Sequence, residues 1–320
     1  MIATNRHTHL PVLCKEMLVS LGETQNKTYV DGTFGGGGYT RAILTSGAAK
    51  VIAFDRDYDA IQRAEIFKQE FGNRFEIVHA CFSEMAKHLV PESMHGIVFD
   101  FGVSSFQIDE AHRGFSFKQE GPLDMRMGLG AAQTAADVVN RFSEKDLADI
   151  LYTYGEEPRA KQIAKAIVAT RTQKPFTTTQ ELALLIRQIV PKYKDFDQAT
   201  LAFQGLRIFV NSELIEIEGA LRQSDQLLPI GGRLVTVAFH ALEDRLVKNH
   251  SRLAFDHHGD TCIYTRINRK AITPTMNEVK SNPRSRSAKL RAFIKELRKS
   301  IPKGFQNVSR RSSAEDRSVQ

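Results

Sequence analysis

Short apolar runs set the rhythm of the first third of this chain. Thr28–Asp31, Val51–Asp55, Phe75–His79 and Gly96–Phe101 are rich in Val, Ile or Phe and bounded by Gly, Asp or Asn, which predicts four strands. They recur about every 20 to 25 residues with helix-period stretches between them, the cadence of right-handed βαβ units and a parallel sheet. A fifth run, Arg233–Phe239, reads the same way but arrives only after a long interruption. The predicted class is therefore α/β, with a Rossmann-like doubly wound sheet.

The interruption reads as helical. Ser143 followed by Glu144 and Asp146 is a cap with acids in the first turn, and Tyr154-Gly155 supplies a stop. Glu157–Arg171 puts Ala160, Ile163, Ala164, Ile167 and Val168 on one stripe, and Thr178 or Thr179 caps Gln180–Val190. Leu206, Val210, Leu214, Ile217 and Leu221 continue one apolar face, which predicts a single helix through them. The expected layout is a sheet domain in two parts, 1–112 and 213–303, with an inserted helical substrate-recognition domain at 113–212. Cys262–Ile267 and Ala288–Ile294 are expected to close the sheet as an antiparallel pair. The basic segment 304–320, polar and rich in Ser and Arg, is expected to be disordered.

Chemistry concentrates where the strands end. The first strand breaks into Gly35-Gly36-Gly37-Gly38, and the second stops at Asp55, twenty positions after Gly35. Bare backbone at the first turn and an acid after the second strand are how a doubly wound sheet holds a nucleoside. A dehydrogenase fingerprint wants a third glycine where Thr40 stands, whereas a methyltransferase needs only the glycine-lined turn. The fourth strand ends in Asp100-Phe101-Gly102-Val103-Ser104-Ser105-Phe106-Gln107 at the same ligand-facing edge. An acceptor there suits methylation of an exocyclic amine, because it draws on the N–H as the methyl moves and helps to remove the proton; Asp100 is the candidate. Its competing reading is a plain capping carboxylate.

The stretch 113–127 is dense in Arg, Phe and Asp and has no period, which suits a functional loop. Phe115 and Phe117 would either stack on a base or pin the loop to the sheet; Arg113 and Arg126 would grip phosphate. His240, leaving the fifth strand, is a proton acceptor or a loop-orienting group. Arg284, Arg286 and Lys289 alternate in a way that suits phosphate contacts.

Composition narrows the partners. Of the 320 residues, 42% are hydrophobic and 25% charged, ordinary for a globular protein, and no apolar run approaches the ~20 needed to cross a bilayer. The start carries no apolar signal core, and Cys14, Cys81 and Cys262 form no CxxC pair, so no metal site or disulfide framework is expected and a cytoplasmic setting is. Net charge is +7, but residues 266–320 hold 15 Lys and Arg against 4 Asp and Glu, leaving 29 against 33 in the rest. A slightly acidic body with a strongly basic end points to a polyanion met at one face.

Taken together, these stretches resemble the bacterial small-subunit ribosomal RNA (cytosine-N4)-methyltransferase H family, also called MraW. The likeness begins at His9-Leu10-Pro11-Val12-Leu13 with Glu16. It runs through the glycine turn, Asp55-Arg56-Asp57, Asp100–Gln107, Arg113–Phe117, Pro122–Met127, Tyr154–Glu157, Phe203-Gln204, Arg207-Ile208, Asn211–Leu214, His240, Leu242–Arg245 and Asn282–Leu290. It implies a class I S-adenosylmethionine-dependent methyltransferase fold with a helical insertion, methylating N4 of a cytidine in the decoding region. The implied partner is small-subunit ribosomal RNA or the 30S particle, met by a monomer or a dimer and without a membrane. Carried over by position, Gly37, Gly38 and Tyr39 would contact the cofactor, with backbone contact favoured for Tyr39, which stands where relatives usually have His. Asp55 would take the ribose, Phe82 would lie beside the adenine, and Asp100 and Gln107 would complete the site. Phe106, Gly128, Asp197-Gln198, Leu201, Ala238 and Ala241 depart from the family pattern. Gly128 and Leu201, with the basic end, motivate the alternative of a non-catalytic ribosome-assembly or RNA-binding factor.

Overall fold

The computed structural model describes residues 11–193, 196–257 and 260–298; His9-Leu10 of the motif and the segment 304–320 lie outside them. Five parallel strands appear where the apolar runs predict them: β1 (Thr28–Asp31), β2 (Lys50–Asp55), β3 (Phe75–His79), β4 (Gly96–Asp100) and β5 (Arg233–Ala238). Three more, β6 (Ala254–His257), β7 (Asp260–Arg266) and β8 (Lys289–Leu297), extend the sheet to the order β3-β2-β1-β4-β5-β8-β7-β6. The closing antiparallel pair is β7 with β8; β8 also runs antiparallel to β5, and β6 adds an edge that the sequence pattern does not show.

Helices alternate with the strands: α1 (Cys14–Leu21), α2 (Gly38–Thr45), α3 (Tyr58–Arg63), α4 (Glu65–Phe71) and α5 (Ser105–Asp109). Then come α6 (Ala135–Arg141), α7 (Glu144–Thr153), α8 (Ala160–Arg171), α9 (Thr179–Ile189), α10 (Thr200–Val210) and α11 (Glu213–Leu227), and after β5 α12 (Ala241–His250) and α13 (Met276–Ser281). Strands covered on both faces explain the unbroken apolar runs. Tyr29, Val51, Ala53, Val98, Val235 and Val237 face one core with α1 and α2. Val30, Ile52, Phe54, Ile97, Phe99 and Leu234 face the other with α11 and α12. The class I methyltransferase arrangement is present: the strand order reverses between β1 and β4, which puts Asp31, Asp55 and Asp100 along one carboxyl rim.

A third core lies wholly between β4 and β5. Leu123, Val138, Leu147, Leu151, Ile163, Leu182, Ile186, Phe203 and Leu206 are buried together, away from the sheet. Ser143 caps α7 and Thr178 caps α9 with Glu181, as the sequence predicts.

The single helix expected through Leu206–Leu221 is corrected to two. α10 stops at Val210, Asn211 caps it, and Ser212 has φ of 51° before α11 begins. Leu206 and Val210 enter the third core while Ile217 and Leu221 enter the sheet core. Each helix is amphipathic for a different partner, and their stripes happen to fall in phase. Periodicity cannot see the turn between them.

Candidate functional site

The glycine turn is held from below by carboxylates. Asp31 is fully buried; its Oδ1 accepts the Thr33 amide (3.1 Å), and its Oδ2 accepts the Thr40 amide (3.2 Å) and hydroxyl (2.7 Å). Burial pushes its carboxyl up, opposed by those bonds. Asp55 Oδ2 accepts the Gly35 amide at 2.7 Å and Oδ1 the Asp57 amide at 2.9 Å, so the acid expected at the ribose also fixes the turn it faces. Desolvation raises its pKa to about 6 against these hydrogen bonds. Gly37 caps α2 with φ of 75°, and a Cβ there would lie 2.3 Å from Phe67, so packing as well as ligand approach demands glycine.

Tyr39 turns its ring inward and donates its hydroxyl to the Val12 carbonyl at 2.5 Å, which leaves only its backbone for the rim. Gly38 lies against Pro11. Phe82 packs 5.8 Å from Phe99 and 6.2 Å from Phe101, on the α11 face of the sheet. Phe106, one of the departures, lies over the glycine turn: a Cβ on Gly36 would sit 2.7 Å from its ring, which the Arg63 guanidinium covers at 4.4 Å.

Two of the expected site residues are engaged within the protein. Gln107 is buried, donates Nε2 to Asp57 Oδ2 (2.8 Å) and accepts the Ser104 amide (3.0 Å). It braces the site from beneath. Arg113, expected to grip phosphate, places Nη1 2.9 Å from both Asp57 and Asp59 and donates Nη2 to the Arg126 carbonyl at 3.1 Å. Four acceptors, the Met127 carbonyl being the fourth, consume it, because the loop from 113 to 127 must be tied to the sheet. Arg126 forks onto Asp124 and Arg284 onto Asp109 (2.5 and 3.2 Å), both with substantially exposed side chains. Arg286 is exposed and Lys289 half-buried.

Asp100 stands at the centre of the rim. Its amide donates to the Thr33 hydroxyl (2.7 Å), while its Oδ1 is buried with no hydrogen-bond partner among the described residues. Burial, then the charges of Asp31 and Glu243, holds its carboxyl well above the ordinary range. Glu243 accepts the Phe239 and His240 amides on Oε2 (2.7 and 3.2 Å), and His240 Nδ1 accepts the Glu243 amide at 3.4 Å. His240 is thus the cap of α12, the loop-orienting reading. Burial pushes the Glu243 carboxyl up, but His240 and Arg207 more than offset it and it lies below the usual value. Ligand-type atoms of Glu213, His240 and Glu243 come within 4.8 Å of one another. Arg207 already forks onto Glu213 (2.8 and 2.9 Å), so the group is neutralised as an ion-pair network.

A cleft of about 320 Å³ opens between this turn and the helical insertion, with Val103, Phe115, Phe117, Phe203, Arg207 and Arg284 in its walls. Phe117 meets Phe203 edge-on at 4.8 Å and carries the Arg187 guanidinium at 5.5 Å. Asp197, a departure, holds Arg187 at 3.0 Å and accepts the Ala199 amide at 2.9 Å in the turn before α10. Gly128, another, has φ of 138°, and a Cβ would fall 2.1 Å from the Arg56 carbonyl. The motif residues Arg56 and Asn211 receive no role from the sequence pattern. Arg56 donates Nη1 to the Asn211 carbonyl (2.9 Å) and Nε to the Leu129 carbonyl (2.7 Å); the Asn211 side chain holds Met125 and Met127 by their backbone at 2.7 Å each. A buried Asn at a helix end is their one local signal, and it does not name the partner.

The MraW methylase family matches residues 6–296. A ribosomal RNA small subunit methyltransferase H of Rhodospirillum rubrum is 46% identical over 89% of this chain and 93% of its own. Proteins of the same name from Granulibacter bethesdensis (47%; 89% and 91%) and Orientia tsutsugamushi (44%; 90% and 98%) are similar over comparable spans. A match of this extent, running in order through the rim, the insertion and the closing strands, means that the chain belongs to the MraW methylase family.

Proposed function

We propose that this protein methylates N4 of a cytidine in the decoding region of small-subunit ribosomal RNA, using S-adenosylmethionine. The observation that carries the reading is the partnerless buried Oδ1 of Asp100, whose amide bonds Thr33 before the glycine turn and which stands three residues before the cleft-lining Val103. A buried acceptor left unsatisfied is costly and marks a place completed by a ligand donor. The names of the relatives and the family itself support the methyl-transfer reading. Bound at the rim, S-adenosylmethionine supplies an electrophilic sulfonium methyl.

The chain's residues supply the rest. Backbone of Gly37, Gly38 and Tyr39 would take the amino-acid end, Asp55 the ribose hydroxyls, and Phe82 the adenine, with Gln107 holding Asp57 and hence the turn. An aryl amine is a weak nucleophile because its lone pair is shared with the ring. Asp100 accepts the amine N–H, directs the lone pair outward and receives or passes on the proton. Alignment of donor and amine carries much of the rate. The insertion 113–212, set between sheet parts 1–112 and 213–303, would present the RNA, with Arg126, Arg284, Arg286 and Lys289 offering phosphate contacts. Gly128, one of the departures behind the alternative of a non-catalytic assembly factor, is required by its own packing, since a Cβ there would fall 2.1 Å from the Arg56 carbonyl.

The test is methyl incorporation into small subunits and into naked ribosomal RNA from cells lacking the protein, followed by nucleoside mass spectrometry. N4-methylcytidine formed by the wild-type chain and lost with Asp100→Ala is the expected result. Saturable RNA binding without methyl transfer would establish the assembly-factor reading instead.

A further inference from the structure

We propose that Arg207 reads the ring-acceptor edge of the target base and so sets the choice of cytosine over uracil. This rests on the cytidine reading above. Cytosine presents a donor at N4 and acceptors at N3 and O2; uracil presents an acceptor at O4 and a donor at N3. A pocket selecting cytosine therefore needs an acceptor beside a fixed donor. Asp100 is the acceptor, with Oδ1 buried and unengaged. Arg207 is the donor whose place in the fold fits.

Three observations place it. Arg207 lies in the wall of the cleft with Phe203 and Gln204 of the same helix. It borders the acidic turn: a Cβ on Gly102, two residues past Asp100, would be 4.0 Å from Arg207 Nη2 and 3.5 Å from Glu243 Oε1. It is also held rigidly, since the Glu213 fork engages Nε and Nη2, and the Asn211 side chain and amide both bond its carbonyl (2.9 and 3.1 Å). The fork does not use Nη1, and the side chain keeps its charge: burial would lower its pKa, but Glu213 and Glu243 more than compensate. A guanidinium that lines a cleft and is fixed by one carboxylate through two of its nitrogens is a planar donor, which lysine cannot imitate. Phe115, Phe117 and Phe203 line the same cleft, so the wall beside Arg207 is apolar as well as charged.

The experiment uses the full chain and small subunits carrying either cytidine or 3-deazacytidine at the methylated position, once mass spectrometry has mapped it. The analogue keeps the amine and replaces N3 by C–H. Wild-type kcat/KM should fall about 100-fold on the analogue, as expected when a buried donor loses its acceptor. Arg207→Gln should lose a similar factor on cytidine and discriminate between the two substrates less than about threefold, with S-adenosylmethionine affinity unchanged. Comparing proteins cancels the intrinsic reactivity of the analogue. Equal discrimination in wild type and variant would overturn the proposal, as would rescue by Arg207→Lys, which marks a simple phosphate contact. Should Arg207→Gln fold poorly, Arg207→Lys carries the comparison, and absent discrimination in the wild type is itself decisive against it. Failure of wild type to methylate cytidine at all would instead strike the functional reading.

Discussion

The two walls of the site are built with opposite electrostatics. On the sheet side, carboxylates are engaged within the frame: Asp31 and Asp55 accept backbone amides around the glycine turn, and Asp57 takes the Gln107 and Arg113 side chains. Around the cleft, guanidinium groups are spent on carboxylates: Arg207 on Glu213, Arg187 on Asp197, and Arg284 on Asp109. The first wall is a rigid frame, because its bonds are buried and short of alternatives. The second holds its cations by acids that differ in exposure, and only the exposed pairs can exchange an acid for phosphate at little cost. Charge alone therefore does not identify an RNA contact: Arg113 and Arg284 are the same residue type, each on a carboxylate, one largely buried and the other exposed.

The largest effect should come from the point where the walls meet. Asp100→Ala should lower kcat about 10²–10⁴-fold in the methyl-transfer assay while calorimetry shows S-adenosylmethionine still bound. Within the frame, Arg113→Ala leaves Asp57 buried without its cation; urea unfolding should show a loss of about 3–5 kcal/mol. A loss below 1 kcal/mol would mean that the frame and the cleft are equally soft, and the comparison would fail. Asp55→Ala should weaken S-adenosylmethionine binding by about 1.5–3 kcal/mol, with the fold retained.

Asp55 also gives the frame a pH signature. Between 3.8 and about 6 the folded chain keeps a proton that the unfolded chain has released, so this group makes stability fall as pH rises through that window. Cofactor affinity should move the other way, rising as pH passes 6 and Asp55 ionises, and Asp55→Asn should flatten that rise in titrations at pH 5, 6 and 7. The smallest effect belongs to the exposed pair. Arg284→Ala should cost under about 1 kcal/mol in stability yet reduce the salt dependence of RNA binding. An unchanged salt slope would remove Arg284 from the RNA face.

The site was legible in unequal parts. Glycines 35–38, Asp55 and Asp100 announce themselves because strand ends and bare backbone are local features. The protein partners of Gln107 and Arg113 were not legible, since a polar side chain does not declare which group it will meet. Arg56 and Asn211 lie 155 positions apart, and nothing near either reveals the bond between them.

What the sequence by itself determined is the set of apolar segments, their strand or helix period, and the family to which they belong. Those follow from side-chain burial along one element at a time. The tertiary structure alone decided where one continuous stripe becomes two helices facing two cores. It also decided which arginines are struts and which are open to a ligand, and that Arg207 stands beside the turn of Asp100. Each of these depends on groups far apart in the chain competing for the same few buried acceptors, and that competition is settled only when the elements pack.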